Sequence, residues 1–187
     1  MPPRRADGAH RSAALAYEVD DSPMGREFAR AASRKWLGLA AFLAVCLAIA
    51  ALGGSVTAKS VGTWYQTLNK PPFTPPDWLF APVWTMLYIG IAIAGWRVWT
   101  AGRRAGTRGA MTAYSVQLAL NLAWSFIFFG YHMIGAALAD ILLLLIAIGF
   151  NAASFRRIDR LAGWLLAPYA AWVAFASALN FALWRLN

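Results

Sequence analysis

Five long apolar stretches are the feature that most constrains how this chain folds. They span residues 36–58, 82–100, 111–130, 134–155 and 161–184, and each holds 19 to 24 residues. About 20 apolar residues cross the hydrocarbon core of a bilayer as an α-helix. The helix is the natural spanning form because it satisfies its own backbone hydrogen bonds where there is no water. The pattern predicts an all-α integral membrane protein, a bundle of five transmembrane helices.

The composition agrees with lipid as the solvent for most of the chain. Hydrophobic residues make up 60% of the 187 positions and charged residues only 13%, whereas a soluble domain carries about 25% charged residues. The formal net charge of +9 raises the question of a nucleic-acid partner. The basic residues, however, lie between the apolar stretches and form no stripe interleaved with aromatic side chains. We therefore predict a lipid bilayer as the surrounding partner and no nucleic acid.

The motifs of common catalytic and metal sites are absent from the sequence. There is no His-Glu-x-x-His pair, no phosphate-binding P-loop and no Gly-x-Ser-x-Gly elbow. The single cysteine, Cys46, cannot form an internal disulfide and is predicted to be a small buried side chain. His132 lies in a short connection, where a solvated histidine is more common than a haem ligand. We predict no catalytic residue, no metal site and no obligatory cofactor.

The chain divides into two regions. Residues 1–35 carry many charges but no sustained apolar period, so they are predicted to form a flexible basic tail. A short helix over 24–33 is an alternative within that tail. Residues 36–187 form the predicted five-helix membrane domain. A cleaved signal peptide is a second explanation of the first stretch, but 36–58 exceeds the about 7–15 residues of such a core.

The distribution of basic residues predicts the orientation of the bundle. On one side lie the tail and Arg97, Arg103, Arg104, Arg108, Arg156, Arg157 and Arg160, and on the other only Lys59, Lys70 and Arg185. Cytoplasmic connections carry an excess of Lys and Arg, so the N-terminus is predicted to be cytoplasmic. We expect a multi-pass bacterial membrane protein, with the choice between inner and outer membrane left open.

The longest connection, residues 59–81, is predicted to be a stiff lid loop. It contains two Pro-Pro pairs, and proline fixes φ and removes a backbone donor, so the segment should be extended, not helical. Trp64, Pro71, Pro72 and Phe73 are the residues assigned to the lid. Anchoring at the membrane surface by the aromatic side chains is an equally good explanation.

The third apolar stretch has two contrasting faces at 100° per residue. One face carries Tyr114, Gln117, Asn121, Trp124, Ser125 and Phe128. Amides and hydroxyls that face lipid lose hydrogen bonds at a cost of about 2–7 kcal/mol each, so this face is predicted to line a pocket. The opposite face includes Ala119, Ala123 and Phe126, and its small residues allow a close helix contact. We predict a homodimer through it, with packing inside one subunit as the alternative.

Two other stretches add aromatic stripes that are predicted to face the same pocket. Trp84, Tyr88 and Ile91 share a stripe in the second stretch. In the fifth, Tyr169, Trp172, Ala176 and Asn180 lie near one stripe, with Leu179 beside it. Ordinary helix packing is the alternative for each stripe taken alone. A large ring beside an alanine makes a ledge next to a gap, a shape that suits a planar ligand.

Asp140 is an acidic residue inside the fourth stretch. Acids at that depth are costly and face protein or water. Since it is the only acid in the apolar stretches and no basic partner lies at mid-depth, we predict a structural role, with a hydrogen bond to a residue such as Gln117 or Tyr114, over the alternative of proton transfer.

Three segments together resemble a known family. They are 63–88 (TWYQTLNKPPFTPPDWLFAPVWTMLY), 117–129 (QLALNLAWSFIFF) and 162–180 (AGWLLAPYAAWVAFASALN). Their order and content are similar to the tryptophan-rich sensory protein (TspO)/translocator protein family, and the resemblance covers about residues 36–187. It implies a five-helix bundle, often dimeric. It also implies binding of porphyrins and haem and, in some members, of sterols and benzodiazepine-type drugs.

The resemblance also implies which residues contact the ligand. Carried over position by position, the family's pocket corresponds to Tyr65, Trp84, Asn121, Trp124, Trp172, Ala176 and Leu179. The face analysis adds Tyr88, Gln117 and Phe128. One departure concerns sterols: Phe181 stands where the recognition pattern near the C-terminus requires tyrosine, which puts sterol binding there in doubt.

The expected function is that of a membrane receptor or sensor. It would bind a tetrapyrrole such as protoporphyrin IX or haem, and other flat apolar ligands, in an intramembrane pocket, and transport of the ligand is an open extension. One alternative is a light-dependent porphyrin-degrading enzyme in which Trp172 donates an electron. The other is a structural membrane protein that acts through partners.

Overall fold

Helices account for all the membrane-spanning parts of the chain. The computed structural model describes residues 23–102 and 106–187, and five helical segments within these ranges are long and apolar enough to cross a membrane. This confirms the predicted all-α bundle of five transmembrane helices. In chain order the elements are α1 (Pro23–Val61), α2 (Trp64–Thr67), a 3-10 turn (Asp77–Leu79), α3 (Phe80–Thr100), α4 (Thr107–Ser125) with a π-helical turn (Phe126–Gly130), α5 (Ile134–Ile158), α6 (Arg160–Leu165) and α7 (Ala167–Leu186).

The first helix is longer than predicted at both ends. The sequence predicted 36–58, whereas α1 runs from Pro23 to Val61. Proline suits the first turn because its missing N–H would have no partner there, and the Arg, Glu and Ala residues that follow favour a helix. The end of the predicted tail is therefore helical, while residues 1–22 lie outside the described residues. The bundle itself is built from Gly38–Asn187.

The predicted lid loop, residues 59–81, is only partly extended. The prediction of a non-helical segment was wrong at both ends, because α1 continues to Val61, α2 forms one turn and Asp77–Leu79 forms another. The longest part without helix is 68–76, which holds four of the prolines. Proline removes a backbone donor only at its own position. The run 59–67 contains no proline and is therefore able to form helical turns.

The π-helical turn after α4 is a feature that a 100° periodicity could not reveal. The Tyr131 N–H donates to the Phe126 carbonyl over 2.7 Å, and this five-residue bond widens the turn. The wider turn buries Phe128 and Phe129 together, with their ring centroids 4.8 Å apart. The Phe129 carbonyl also accepts a 2.5 Å hydrogen bond from the hydroxyl of Ser60, which ties this turn to the end of α1.

The fifth spanning segment is broken, whereas a single helix over 161–184 was predicted. α6 ends at Leu165 and α7 begins at Ala167, which places Pro168 in the first turn of a new helix. Proline lacks an N–H, and its ring clashes with the carbonyl four residues earlier, that of Trp164, so a continuous helix is disfavoured. As a separate element, α6 packs against both α3 and α5.

An ion pair joins α3 to the start of α6. The Arg97 guanidinium lies 2.8 Å from the Asp159 carboxylate, which also caps α6 by accepting a hydrogen bond from the Ala162 N–H. Burial acts to raise the pKa of Asp159, but these hydrogen bonds outweigh it and hold the pKa below its ordinary value. The carboxylate is therefore charged at neutral pH. Asp159 is the single residue between α5 and α6.

The order of the helices separates the basic residues between the two ends of the bundle. The end where α3 stops and α5 meets α6 holds Arg97, Arg108, Arg156, Arg157 and Arg160. The opposite end holds Lys59, Lys70 and Arg185. Arg103 and Arg104 lie outside the described residues. Which end faces the cytoplasm stays a prediction.

Candidate functional site

A cavity of about 340 Å³ lies between α1, α3 and α4. Its walls combine aromatic rings, small residues and a few polar groups. The lining residues are Ala50, Gly53, Gly54, Thr57, Ala58, Val61, Asp77, Phe80, Ala81, Trp84, Thr85, Tyr88, Asn121, Trp124, Ser125 and Phe129. A mostly apolar cavity with a few polar groups is the usual architecture of a small-molecule site.

Asn121 is the centre of a buried hydrogen-bond chain beside this cavity. Its Oδ1 accepts from the Tyr88 hydroxyl, and its Nδ2 donates to the Tyr169 hydroxyl over 2.9 Å. Trp84 packs on the same two tyrosines, with ring centroids 5.7 and 6.2 Å away. An asparagine amide has two donor and two acceptor positions, so one of each is left for a ligand.

A second, narrow cavity of about 20 Å³ lies next to the first. The two share Phe80, Trp124 and Phe129 as a common wall. The other residues that line it are Tyr65, Phe128, Ala176, Leu179, Asn180 and Leu183. The Trp124 indole N–H donates to Asn180 Oδ1 over 3.1 Å, which holds the tryptophan ring in place between the two cavities.

Tyr65 brings an unsatisfied polar group to the narrow cavity. Its side chain is buried, and its hydroxyl has no hydrogen-bond partner among the described residues. Burial, and secondarily the nearby Asp77 carboxylate, raise the pKa of Tyr65 to about 12. The phenol therefore keeps its proton at neutral pH and is available as a donor to a ligand. The ammonium of Lys70 lies 4.6 Å from the centre of the tyrosine ring.

Most of the sequence-predicted ligand residues meet at these two cavities. Trp84, Tyr88, Asn121 and Trp124 line the larger one. Tyr65, Phe128, Ala176 and Leu179 line the narrow one. The fold thus brings together side chains from three spanning segments and the lid loop, as the stripes of the sequence suggested.

Two predicted ligand residues lie behind the cavity walls. Gln117 is fully buried on α4, and neither atom of its amide has a hydrogen-bond partner within the described part of the chain. Trp172 contacts Phe80, with ring centroids 6.1 Å apart, and is not among the residues that line either cavity.

The residues assigned to the lid lie beside the cavities without lining them. Trp64 stacks on His132 with ring centroids 4.1 Å apart, and Phe73 meets Phe175 edge to face. Pro71 is buried, and Pro72 is exposed. The lid role stays a prediction.

The face of α4 that was predicted to form a dimer is largely open. Ala119 and Phe126 are exposed, and Ala123 is half-buried. Packing inside one subunit, the alternative for this face, therefore does not cover Ala119 or Phe126. A lipid chain or a second copy of the protein would cover them, so the homodimer stays a prediction.

The expected hydrogen bond of Asp140 is not formed. Its buried Oδ2 has no partner in the described structure, and the Gln117 amide has none either. The Tyr114 hydroxyl instead contacts Cys46 Sγ and the Ile91 carbonyl, each at 3.3 Å. The prediction of an Asp140 bond to Gln117 or Tyr114 was wrong because α1 and α3, not α5, supply the partners of Tyr114. Within residues 23–102 and 106–187, no cluster of His, Cys, Asp or Glu could hold a metal ion.

The contribution of α1 was missed at the sequence level. Six of the residues that line the larger cavity come from α1, and none of them was predicted. Their signal is a stripe of small side chains spaced three or four apart around the Gly53–Gly54 pair. Such stripes also mark ordinary helix contacts in membranes, so the spacing alone does not distinguish a cavity from a packed interface.

Comparison with known proteins agrees with this arrangement. The sequence model of the TspO/MBR family matches residues 42–185, which include most of each of the five spanning segments and every residue that lines the two cavities. The chain belongs to the TspO/MBR family. The family membership supports a role as a membrane sensor or receptor, and the five spanning segments make the protein a multi-pass membrane protein.

Relatives of this TspO/MBR protein occur in bacteria, archaea and animals. The tryptophan-rich protein TspO of Chlorobaculum tepidum is 41% identical over 156 residues, which cover 83% of this chain and 99% of that protein. The protein of the same name from Archaeoglobus fulgidus is 44% identical over 151 residues, or 81% of this chain and 97% of that protein. The translocator protein of Homo sapiens is 40% identical over 126 residues, or 66% of this chain and 75% of that protein.

Proposed function

We propose that this protein is a membrane receptor that binds flat, apolar ligands of the tetrapyrrole class, such as protoporphyrin or haem. The observation that carries the proposal is the cavity of about 340 Å³ whose walls hold five aromatic side chains from α3, α4 and the π-helical turn. A cavity of this size falls within the range of about 300–1,000 Å³ that is typical of small-molecule sites. Membership of the TspO/MBR family supports the sensor or receptor role.

The chemistry of the cavity suits a porphyrin. Its rings, among them Trp84 and Trp124, offer planar apolar surface for stacking. Porphyrins of this class also carry carboxylates, which need hydrogen-bond donors in a dry site. The remaining donor position of Asn121 in this cavity, and the unsatisfied hydroxyl of Tyr65 in the adjoining narrow cavity, are suited to that task. Binding of this kind needs no ligand to the metal of a haem.

A porphyrin titration tests the proposal. We expect protoporphyrin to quench the tryptophan fluorescence of the purified protein saturably. Asn121→Ala should weaken the binding by about tenfold, which corresponds to about 1.4 kcal/mol. The matched control is Asn151→Ala, since Asn151 is also fully buried and donates to the Ala110 carbonyl over 3.0 Å. Ala110 precedes Asn121 by eleven residues on α4, or about 16 Å along the axis.

The control separates loss of the site from loss of stability. Asn151→Ala should unfold at a lower temperature than the wild type but keep its porphyrin affinity. Quenching that rises linearly without saturation would refute the proposed function, as would equal losses of affinity in the two variants.

Light-dependent degradation of the porphyrin is a second candidate function. The observation that favours it is the indole of Trp172, which contacts the cavity-lining Phe80 and whose N–H has no partner among the described residues. Under this alternative, illumination of the complex in air changes the porphyrin absorption spectrum, and Trp172→Phe abolishes the change while binding persists. An absorption spectrum that stays constant under light would reject it.

A further inference from the structure

The larger cavity has an opening between α1 and α3 that lies within the spanning segments. Gly54 and Ala58 on α1, and Ala81 and Thr85 on α3, line the cavity and are also exposed. Gly54 precedes the last residue of α1, Val61, by seven residues, or about 10 Å along the helix axis. In a bilayer, exposed residues at such a depth face acyl chains, so the cavity is open to lipid on this side.

Small side chains keep this lateral opening wide. A Cβ atom built on Gly54 meets no other atom within 4 Å, whereas one built on the neighbouring Gly53 lies 3.0 Å from the hydroxyl of Ser125. Gly53 therefore forms a packed wall and Gly54 the edge of a gap. The other residues at the edge are alanines and a threonine, which are too short to close it.

Gln66 bridges the two sides of the same cavity at the end that faces the lid loop. Its Nε2 donates to the Val61 carbonyl over 2.9 Å and to the Asp77 carboxylate over 2.8 Å. Val61 and Asp77 both line the cavity, one on the α1 side and one on the α3 side. The same amide also accepts a hydrogen bond, because the Lys70 ammonium donates to Gln66 Oε1 over 2.9 Å. A ligand that entered from water between Val61 and Asp77 would have to break these bonds.

We propose that the ligand enters the cavity sideways from the bilayer, through the gap between α1 and α3, while Gln66 keeps the water-facing end closed. The identity of the ligand rests on the proposed function, but the route does not. A flat apolar molecule is concentrated in the bilayer because water excludes it. Entry from lipid therefore brings the molecule to a gap edged by small residues without exposing it to water.

A thiol-labelling experiment tests the route without any porphyrin. In full-length protein in lipid nanodiscs, Cys46→Ser removes the native thiol and Ser125→Cys places one inside the cavity. We expect N-ethylmaleimide, which dissolves in lipid, to label this thiol at least about tenfold faster than a maleimide that carries a sulfonate. Gly54→Phe, which narrows the gap, should lower the rate with N-ethylmaleimide by about tenfold.

Two further variants complete the labelling experiment. The matched control is Gly149→Phe on α5, because a Cβ atom built there also meets no atom within 4 Å. This variant should react with N-ethylmaleimide at the same rate as the protein that carries only Cys46→Ser and Ser125→Cys. Gln66→Ala should leave the rate with N-ethylmaleimide unchanged. The proposal is overturned if Gly54→Phe and Gly149→Phe react with N-ethylmaleimide at the same rate. It is also overturned if Gln66→Ala accelerates the reaction with both reagents.

Porphyrin kinetics connect the route to the proposed function. If protoporphyrin binds, Gly54→Phe should slow its association by about tenfold, because the substituted ring narrows the gap that admits the ligand. A wild-type protein that binds no porphyrin but shows the expected labelling pattern would refute the proposed function and support the lateral opening. Normal association in Gly54→Phe beside faster association in Gln66→Ala would place the entrance at the water-facing end.

Discussion

Replacing Trp124 with alanine is expected to weaken porphyrin binding by about thirtyfold, or about 2 kcal/mol, the cost of losing an aromatic anchor at the centre of a site. Trp124 is one of three side chains that line both cavities. Its ring also stacks on Phe128 at 5.2 Å between centroids. Truncation removes a planar wall of the site and merges the two cavities. The measurement is an equilibrium titration with protoporphyrin in detergent or nanodiscs.

Two variants separate the binding effect from a general loss of stability. Trp124→Phe keeps a ring in the wall but loses the hydrogen bond to Asn180, so its affinity should fall between those of wild type and Trp124→Ala. Trp164→Ala removes an exposed tryptophan on α6 that contacts Arg156 on α5 and lines neither cavity, and this variant should bind porphyrin like the wild type. A Trp124→Ala protein that remains folded and binds with wild-type affinity would show that the ligand does not touch this wall.

Gly163→Ala is expected to lower the free energy of unfolding by about 1–3 kcal/mol, the usual cost of adding an atom to a filled contact. A Cβ atom at Gly163 would lie 1.9 Å from Cγ of Arg156 and 2.9 Å from the Ala152 carbonyl oxygen. The arginine side chain can swing away, but the carbonyl belongs to the backbone of α5 and cannot move without displacing the helix. Thermal unfolding in detergent, followed by circular dichroism, measures the loss.

Gly149→Ala is the matched control for this substitution. Gly149 lies on α5, and a Cβ atom there would meet no atom within 4 Å. Because alanine favours a helix over glycine by about 1 kcal/mol, this variant should be as stable as the wild type or more so. Equal stability of Gly163→Ala and Gly149→Ala would contradict the close contact of α6 with α5.

The sequence identified the inner face of α4 because lipid penalises unpaired polar groups. Tyr114, Gln117, Asn121 and Phe128, which the helical period placed on one face, are all buried. The same rule holds for the aromatic stripe of α3, where Tyr88 is buried and hydrogen-bonded to Asn121. A residue's preference for protein or lipid is a property of its own chemistry, so it can be predicted before any fold is known.

The partner of each inward-facing group could not be predicted in the same way. Asn121 bonds two tyrosines from α3 and α7, whereas Gln117, one turn away on the same face, has no partner among the described residues. Which group receives a hydrogen bond depends on distances between helices, and one sequence carries no information on those distances. The same limit explains the wrong prediction for Asp140.

The sequence by itself determined five membrane-spanning helices, the inward side of α4 and the family to which the chain belongs. Only the tertiary structure decided that α1 supplies small residues to the wall of the larger cavity. It also decided that the π-helical turn buries Phe129 beside Phe128, and that Trp172 contacts Phe80 without lining either cavity. Apolar length and polar spacing are local properties of a segment, and the bilayer acts on each segment separately. A cavity is the space left where helices fail to meet, so it exists only after all of them have packed.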